Sequence, residues 1–302
     1  MPFTPQVAVN LVNSELLNWM ETFLFDKRST RLSQNTIDYY RYALTHFVIF
    51  CTSSGVSTLG EITANVLRRY LLYLENKGYN AGGVHAKWRA VRAFLNWYAI
   101  EELDFINPAV KIRVKMPNME PLNPADIEVV KDLLNSCDNS FTGKRDRLIL
   151  LMLLDTGLRA SELLGLTIDN INSITGVIQV VHGKGEKPRT VYMSRKTRRQ
   201  YRQTITHEGD VFLNVYGDKL TRSGLMQMLK RRAKLAGVPY QSAHSFRRLF
   251  ALTMLRNGVD VFSLALIMGH SDIQILRRYL KVINSDTQKA HLQGSPVEKW
   301  IK

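Results

Sequence analysis

A mainly α-helical fold in two domains, with one small antiparallel β-hairpin in the second, is what this sequence predicts, and three observations carry the prediction. Apolar residues recur at the three- and four-residue spacing of amphipathic helices through most of the chain. Only two short runs, Val177–Val181 and Arg189–Met193, read as strands. A chain of 302 residues is long for one core, and four prolines between Asn107 and Pro124 mark a break. The expected organisation is a helical domain over 1–107, a basic linker over 108–122 and a mostly helical second domain over 123–302.

Four helices account for the first domain. One is expected over Leu11–Phe25. A second begins after Ser33, a good N-cap, and carries Ile37, Tyr40, Leu44, Phe47, Val48 and Cys51 to the Thr-Ser-Ser-Gly stop at 52–55. The third follows Thr63, with Val66, Tyr70, Leu71 and Leu74 inward and Arg68 and Arg69 outward. The fourth aligns Val84, Trp88, Val91, Leu95 and Tyr98, leaving His85, Lys87, Arg89 and Arg92 on other faces. Lys87, Arg89 and Arg92 are therefore candidate DNA contacts, although a solvated helix face has the same pattern. In the linker, Val110-Lys111-Ile112-Arg113-Val114-Lys115 alternates apolar with basic. An extended chain would set Lys111, Arg113 and Lys115 on one side, able to follow phosphates from one domain to the next; a short edge strand alternates in the same way.

The second domain opens with a helix from Asn123, with Pro124 in its first turn and Asp126 and Glu128 at its positive end. A buried helix over Lys144–Asp155 stops at Thr156-Gly157. The two strands are joined through Gly183-Lys184-Gly185-Glu186-Lys187. Helices follow at about 195–206, 221–236, 245–257, 260–268 and 271–282, with Gly237 and Gly258 as stops.

Net charge is +15 with pI near 9.9, a balance that fits a polyanionic partner, phosphate backbone above all. The excess is uneven: residues 1–107 carry a net +1 and residues 108–302 a net +14. Cys51 and Cys137 are solitary and are expected as buried thiols, not as a disulfide or zinc site. No apolar run approaches the roughly 20 residues a membrane span needs, and Met1–Asn10 lacks the layout of an export signal. A cytoplasmic, nucleoid-associated protein with no membrane partner is the expectation.

Five basic or imidazole side chains and one phenol fall in order along the second domain: Arg159, Lys184, His244, Arg247, His270 and Tyr279. Arginines donate two parallel bonds to phosphate oxygens and stay charged at any working pH. A lysine or imidazole can protonate a departing alkoxide, and a phenol can attack the phosphorus. Such a reaction needs neither metal nor cofactor. Arg159 follows the Gly157 stop, where a surface arginine or a partner for Glu162 is the blander reading. His244 and Arg247 stand three apart, on one face of a helix. Lys184 sits at a hairpin tip with Lys187 as its competitor. Tyr279, the only tyrosine after Tyr240, is flanked by Arg277 and Arg278. No two-metal carboxylate spacing, serine elbow or glycine-rich fingerprint competes.

Taken together, Thr156-Gly-Leu-Arg-Ala-Ser-Glu-Leu-Leu-Gly-Leu166, Gly183-Lys-Gly185, His244-x-x-Arg247, Gly269-His270-Ser-Asp272 and Tyr279 resemble the tyrosine recombinase, or phage integrase, family, its Xer-like branch most closely. The resemblance implies a SAM-like DNA-binding first domain and a catalytic second domain that clamp a duplex between them. It implies that Arg159 and Arg247 bind the scissile phosphate, Lys184 protonates the leaving 5′ oxygen, His244 assists proton transfer and His270 bonds the phosphate. Tyr279 would attack to leave a 3′-phosphotyrosyl link. Strand exchange between two specific double-stranded sites would pass through a Holliday junction on a homotetramer, without ATP or metal. In relatives the terminal helix docks into a neighbouring subunit; Trp300 is a candidate anchor, in trans or folded back in cis.

Departures from the family pattern are Arg248 after Arg247, Ile275-Leu276-Arg277-Arg278 before the tyrosine and Leu280-Lys281 after it. They favour an integration or excision enzyme of a mobile element over dimer resolution. A topoisomerase-like or end-resolving enzyme is the alternative within the same chemistry. A non-catalytic site-specific DNA-binding regulator and a metal-dependent nuclease or transposase are the alternatives outside it.

Overall fold

The computed structural model describes residues 15–116, 123–181, 188–269, 295 and 297, and it divides into two compact units, 1–120 and 121–302. Lys184, Lys187, the helix expected over 271–282 and the tail with Trp300 lie outside the described residues.

Four helices build the first unit: α1 Glu15–Ser29, α2 Gln34–Ser53, α3 Ala64–Asn76 and α4 Ala81–Glu101. α1 runs four residues past its expected end, since Lys27 and Arg28 suit the negative end of the helix dipole. Thr63 and Asn80 cap α3 and α4 by accepting the N–H groups of Val66 (3.3 Å) and Gly83 (2.8 Å). α4 is central, packed on α1, α2 and α3. Phe23 of α1, fully buried, meets Tyr40, Phe94 and Trp97 edge-on at 5.2, 5.5 and 5.4 Å. Each such pair contributes roughly 0.5–1.5 kcal/mol beyond its buried area.

The basic stretch after α4 departs from the extended strip expected. Pro108–Lys111 forms a 3-10 turn, opened by Asn107, whose Oδ1 accepts the Ala109 N–H at 2.9 Å. Proline fixes φ for the turn and sacrifices no needed donor. Ala109, Ile112 and Val114 then rest on the first unit's core, so alternation starts only at Ile112. Lys111, Arg113 and Lys115 are exposed.

The second unit comprises α5 Ile127–Asn135, α6 Phe141–Thr156, α7 Ala160–Leu164, a 3-10 turn Ile168–Asn170, strands β1 Val177–Val180 and β2 Arg189–Tyr192, then α8 Arg195–Thr204, α9 Arg222–Ala236, α10 Ala243–Arg256 and α11 Val261–Met268. α5 starts later than Asn123 because the Ala125 N–H is spent on the Ser245 carbonyl (2.9 Å), and Asp126 becomes the cap, accepting from the Glu128 N–H at 2.8 Å. The hairpin is antiparallel, in register Val177 with Tyr192 and Val180 with Arg189; Ile178 and Val191 point into the core. α10 begins at Ala243, two residues earlier than expected, capped by Ser242, whose Oγ accepts the Ser245 N–H (3.1 Å). Among the described residues no helix is long and apolar enough to cross a membrane.

Charge threads this second core. Asp146, with no exposed surface, accepts from Arg145 Nη2 at 2.7 Å on Oδ1, and from Arg231 Nη2 (2.9 Å) and Arg232 Nε (2.8 Å) on Oδ2, tying α6 to α9. Arg145 and Arg232 spend further N–H groups on the carbonyls of Leu213 and Ser136, both at 2.9 Å. Each buried charge is thereby paired and hydrogen-bonded, the condition on which ionic groups survive inside a fold.

Candidate active site

α6 ends because Gly157 adopts a left-handed φ of 63°. A Cβ there would lie 2.5 Å from the Phe250 ring of α10, so glycine serves both the turn and the close approach. The turn sets Arg159 as the N-cap residue of α7, and Glu162 one turn on receives the Arg159 N–H at 2.7 Å.

Glu162 is the hub of the site. Arg189, heading β2, grips it with both fork nitrogens, Nη1 to Oε1 at 2.9 Å and Nη2 to Oε2 at 2.7 Å. Arg159 Nη1 lies 2.8 Å from Oε1, and Arg247 Nη1 stands 3.9 Å from Oε2. The Glu162 side chain is only 2% exposed. Burial by itself pushes its carboxyl up, but the Arg189 hydrogen bonds, with the backbone N–H and guanidinium of Arg159, outweigh burial and hold it below the ordinary carboxylate value. The group is a carboxylate at neutral pH, in surroundings that leave water little access.

The same three arginines close the end of α11. Arg189 Nε donates to the Ile267 carbonyl (2.9 Å), Arg247 Nη2 to that of Met268 (2.7 Å) and Arg159 Nη2 to that of Gly269 (3.1 Å). Arg247 also donates to the Gly157 carbonyl. Three successive carbonyls at the negative end of a helix each receive one guanidinium, which satisfies acceptors that a helix terminus otherwise leaves open. Gly269 is left-handed, φ 65°, and a Cβ on it would fall 2.8 Å from Arg189 Nη1. Glycine is thus required at the residue just before His270.

Arg159, His244 and Arg247 line one open cleft of about 860 Å³ with Arg222, Tyr240 and Ser242. His244 is exposed in the first turn of α10, and Arg247 lies three residues on, 3% exposed. A cleft walled by guanidinium and imidazole groups, the arginines braced from behind by a carboxylate, suits an anion with several oxygens. Of the six expected catalytic residues these three come together. Lys184, His270 and Tyr279 lie outside the described residues.

In the first unit, Arg89 and Arg92 are exposed, but Lys87 corrects the sequence reading. It is 4% exposed, its ammonium 4.2 Å from the Tyr42 ring centre and 4.8 Å from that of Tyr79, with no hydrogen-bond partner among the described residues; burial pushes its pKa down. The reason is periodicity: three residues after Val84 and four before Val91, it stands on the buried stripe of α4.

Arg189 and the hub role of Glu162 do not stand out in the motif pattern. Strand alternation signals the first, because Arg189 shares its face with Val191, which is fully buried. No spacing marks Arg222 and Tyr240, which reach the cleft through the packing of α9 and the loop before α10.

Comparison with known proteins agrees in both units. The phage integrase family profile matches residues 125–285, more than half of the chain, and that of the phage integrase N-terminal SAM-like domain matches residues 22–102. The chain belongs to the phage integrase family and is a tyrosine site-specific recombinase. It is 29% identical over 284 residues to the tyrosine recombinase XerD of Staphylococcus aureus, covering 88% of this chain and 94% of that one. XerD of Staphylococcus haemolyticus is 28% identical over 279 residues, with the same coverage. In fold it is similar to the Tn1549 transposon integrase in complex with a circular intermediate DNA (TM-score 0.73, 18% identity, 88% and 95% covered). It is also similar to XerH site-specific recombinase bound to difH substrate (TM-score 0.69, 20% identity, 90% and 95% covered).

Proposed function

We propose that this recombinase cuts and rejoins duplex DNA at specific sites by attack of the Tyr279 phenol on a backbone phosphate. The observation that carries the reading is the convergence of Arg159, His244 and Arg247 on one cleft, with Glu162 bracing Arg159 from behind. The two guanidiniums hold the non-bridging oxygens, and their charge offsets what builds up as phosphorus becomes five-coordinate. The phenol loses its proton with help from His244. Its oxygen forms the new bond to phosphorus while the bond to the 5′ oxygen breaks. The departing electron pair takes a proton from the Lys184 ammonium, and His270 holds a phosphate oxygen. A phosphodiester is exchanged for a phosphotyrosyl ester of similar energy, so a second 5′ hydroxyl reverses the step without ATP.

The XerH and Tn1549 neighbours were each solved on DNA, which favours duplex DNA as this chain's partner. Two rounds of exchange on a homotetramer would pass through a Holliday junction. The departures at Arg248 and Ile275–Arg278 support integration or excision of a mobile element over dimer resolution. A nicked suicide duplex bearing the site tests the chemistry. A covalent protein–DNA adduct is expected from the wild type and none from Tyr279→Phe; no adduct from the wild type would favour a DNA-binding regulator instead. Exchange between two labelled duplexes then separates a recombinase from an enzyme that only relaxes or seals.

A further inference from the structure

Among the described elements of the second unit, the one densest in basic residues takes no part in the cleft. α8 reads Arg-Lys-Thr-Arg-Arg-Gln-Tyr-Arg-Gln-Thr, with five cations and no acid. Thr197, Tyr201 and Thr204 face the core, and Arg198 is spent on the Ile174 carbonyl. Arg195, Lys196, Arg199 and Arg202 are exposed, and among the described residues none of the four pairs with a carboxylate. Helix physics does not ask for them. Arg195 and Lys196 open the helix at the positive end of its dipole, where cations are unfavourable. Arg195 repels Arg199 four residues on, and Arg199 repels Arg202 three residues on. Only Arg202, in the last turn, stands where the helix dipole favours a cation; a stripe whose other three members lack that support answers to something outside the chain.

α8 packs on α6, and α6 packs in turn on α7 and α10; the cleft is lined by residues of α7, α9, α10 and the loop before α10, with none from α8. We propose that α8 is a second polyanion face of this unit, one that takes the phosphate backbone of duplex DNA other than the stretch lying over the cleft. The inference rests on the reading of DNA as substrate. Arg195, Arg199 and Arg202 share one face over about 10 Å, at 1.5 Å per residue. That length passes roughly three phosphates of one strand. Lys196 flanks the stripe, and exposed Lys144 borders it where Gln200 Nε2 reaches the Lys144 carbonyl (3.5 Å). Three of the four cations are arginines, whose flat forks fit phosphate oxygens in pairs. A duplex held at the cleft would also present its own flanks at high effective concentration. These features favour nucleic acid over an acidic peptide.

The test compares the full chain with its R195Q/K196Q/R199Q/R202Q variant on four probes: a nicked duplex of core length, the same site with long flanks, an unrelated labelled duplex offered to the core complex, and polyglutamate. The variant is expected to form adduct on the core-length duplex at the wild-type rate and to melt no lower, since like charges have been removed. Its hold on flanked or second duplex should fall at least tenfold at low salt, with the slope of log K against log salt shallower by about 3. Loss on the flanked probe assigns a bent-back flank and loss on the unrelated probe a second molecule; either supports the proposal. Unchanged capture of both, or a loss confined to polyglutamate, overturns it. Absence of adduct from the wild type would count against the chemistry at Tyr279 and leave the capture comparison standing.

Discussion

The two units bury charge in opposite ways. The first is packed almost wholly from aliphatic and aromatic side chains, and among its described residues the one buried ion, Lys87, lies against two rings without a hydrogen-bond partner there. The second buries Arg145, Asp146, Glu162, Arg232 and Arg247, every one of them bonded, in two networks. An interior that only needs to hold its shape can rely on apolar area and ring geometry, with any DNA contact left to exposed residues such as Arg89 and Arg92. A unit that must grip a phosphate needs fixed cations, and fixing a cation in a dry setting needs a carboxylate and carbonyls behind it. The difference therefore separates an apolar interior from one built around fixed charge, and it can be broken experimentally from either side.

The largest effect is expected from Arg247→Ala. If the arginine both holds phosphate and belongs to the Glu162 network, adduct formation on a nicked duplex should fall by roughly 10³-fold or more. Duplex binding should weaken only a few-fold, because many other cations share the backbone contacts. Near-normal adduct yield, read on a denaturing gel, would remove Arg247 from the chemistry and leave it a purely structural ion.

Glu162→Gln comes next, tested by chemical denaturation. Replacing the hub carboxylate leaves Arg159 and Arg189 facing a neutral amide, and breaking a buried pair in this way costs about 3 kcal/mol. Its pH signature has a definite sign. The folded carboxyl titrates below the ordinary value of 4.5, so its contribution is complete above that value and is lost as pH falls through the folded one. Wild type should lose stability on acidification below about pH 5 more steeply than Glu162→Gln. Parallel profiles would mean that the carboxylate is not the counter-charge that the distances describe.

This contrast also explains what the sequence revealed. The first unit was legible nearly element by element, because an apolar stripe at helical spacing is the whole of its packing rule; Ser33, Thr63 and the Val84–Tyr98 stripe stand where periodicity puts them. Its failures came where tertiary contact overrode local pattern, as at Pro108–Lys111, which folds back on the core, and at Ala125, whose N–H is taken by Ser245. In the second unit order and spacing picked out Arg159, His244 and Arg247. Of the backing layer only the Arg159–Glu162 pair, three residues apart, was legible. Asp146 lies inside a run read simply as buried, and Arg189 meets Glu162 across 27 positions, a contact that no local spacing encodes.

The smallest effect, and the one that sharpens the contrast most, is expected from Lys87→Met. Methionine keeps the length and most of the volume while removing an ammonium that has only two ring faces for company, each contact worth ~0.5–2 kcal/mol. Because burial depresses the Lys87 pKa, the unfolded chain holds this proton more tightly; the penalty is complete below the folded value and fades as pH rises towards 10.5. At pH 7 the variant should therefore match wild type within about 1 kcal/mol or exceed it, and its stability should rise less steeply in the alkaline range. His46 supplies an independent reading. Its pKa is lowered by burial and by the Lys87 charge, so removing that charge should move the imidazole's NMR titration upward. Duplex binding should be unaffected by Lys87→Met and weakened by Arg89→Gln with Arg92→Gln. A stationary His46 would show that the buried amine carries no charge, and a binding loss equal to that of the two arginines would return Lys87 to the DNA-facing surface.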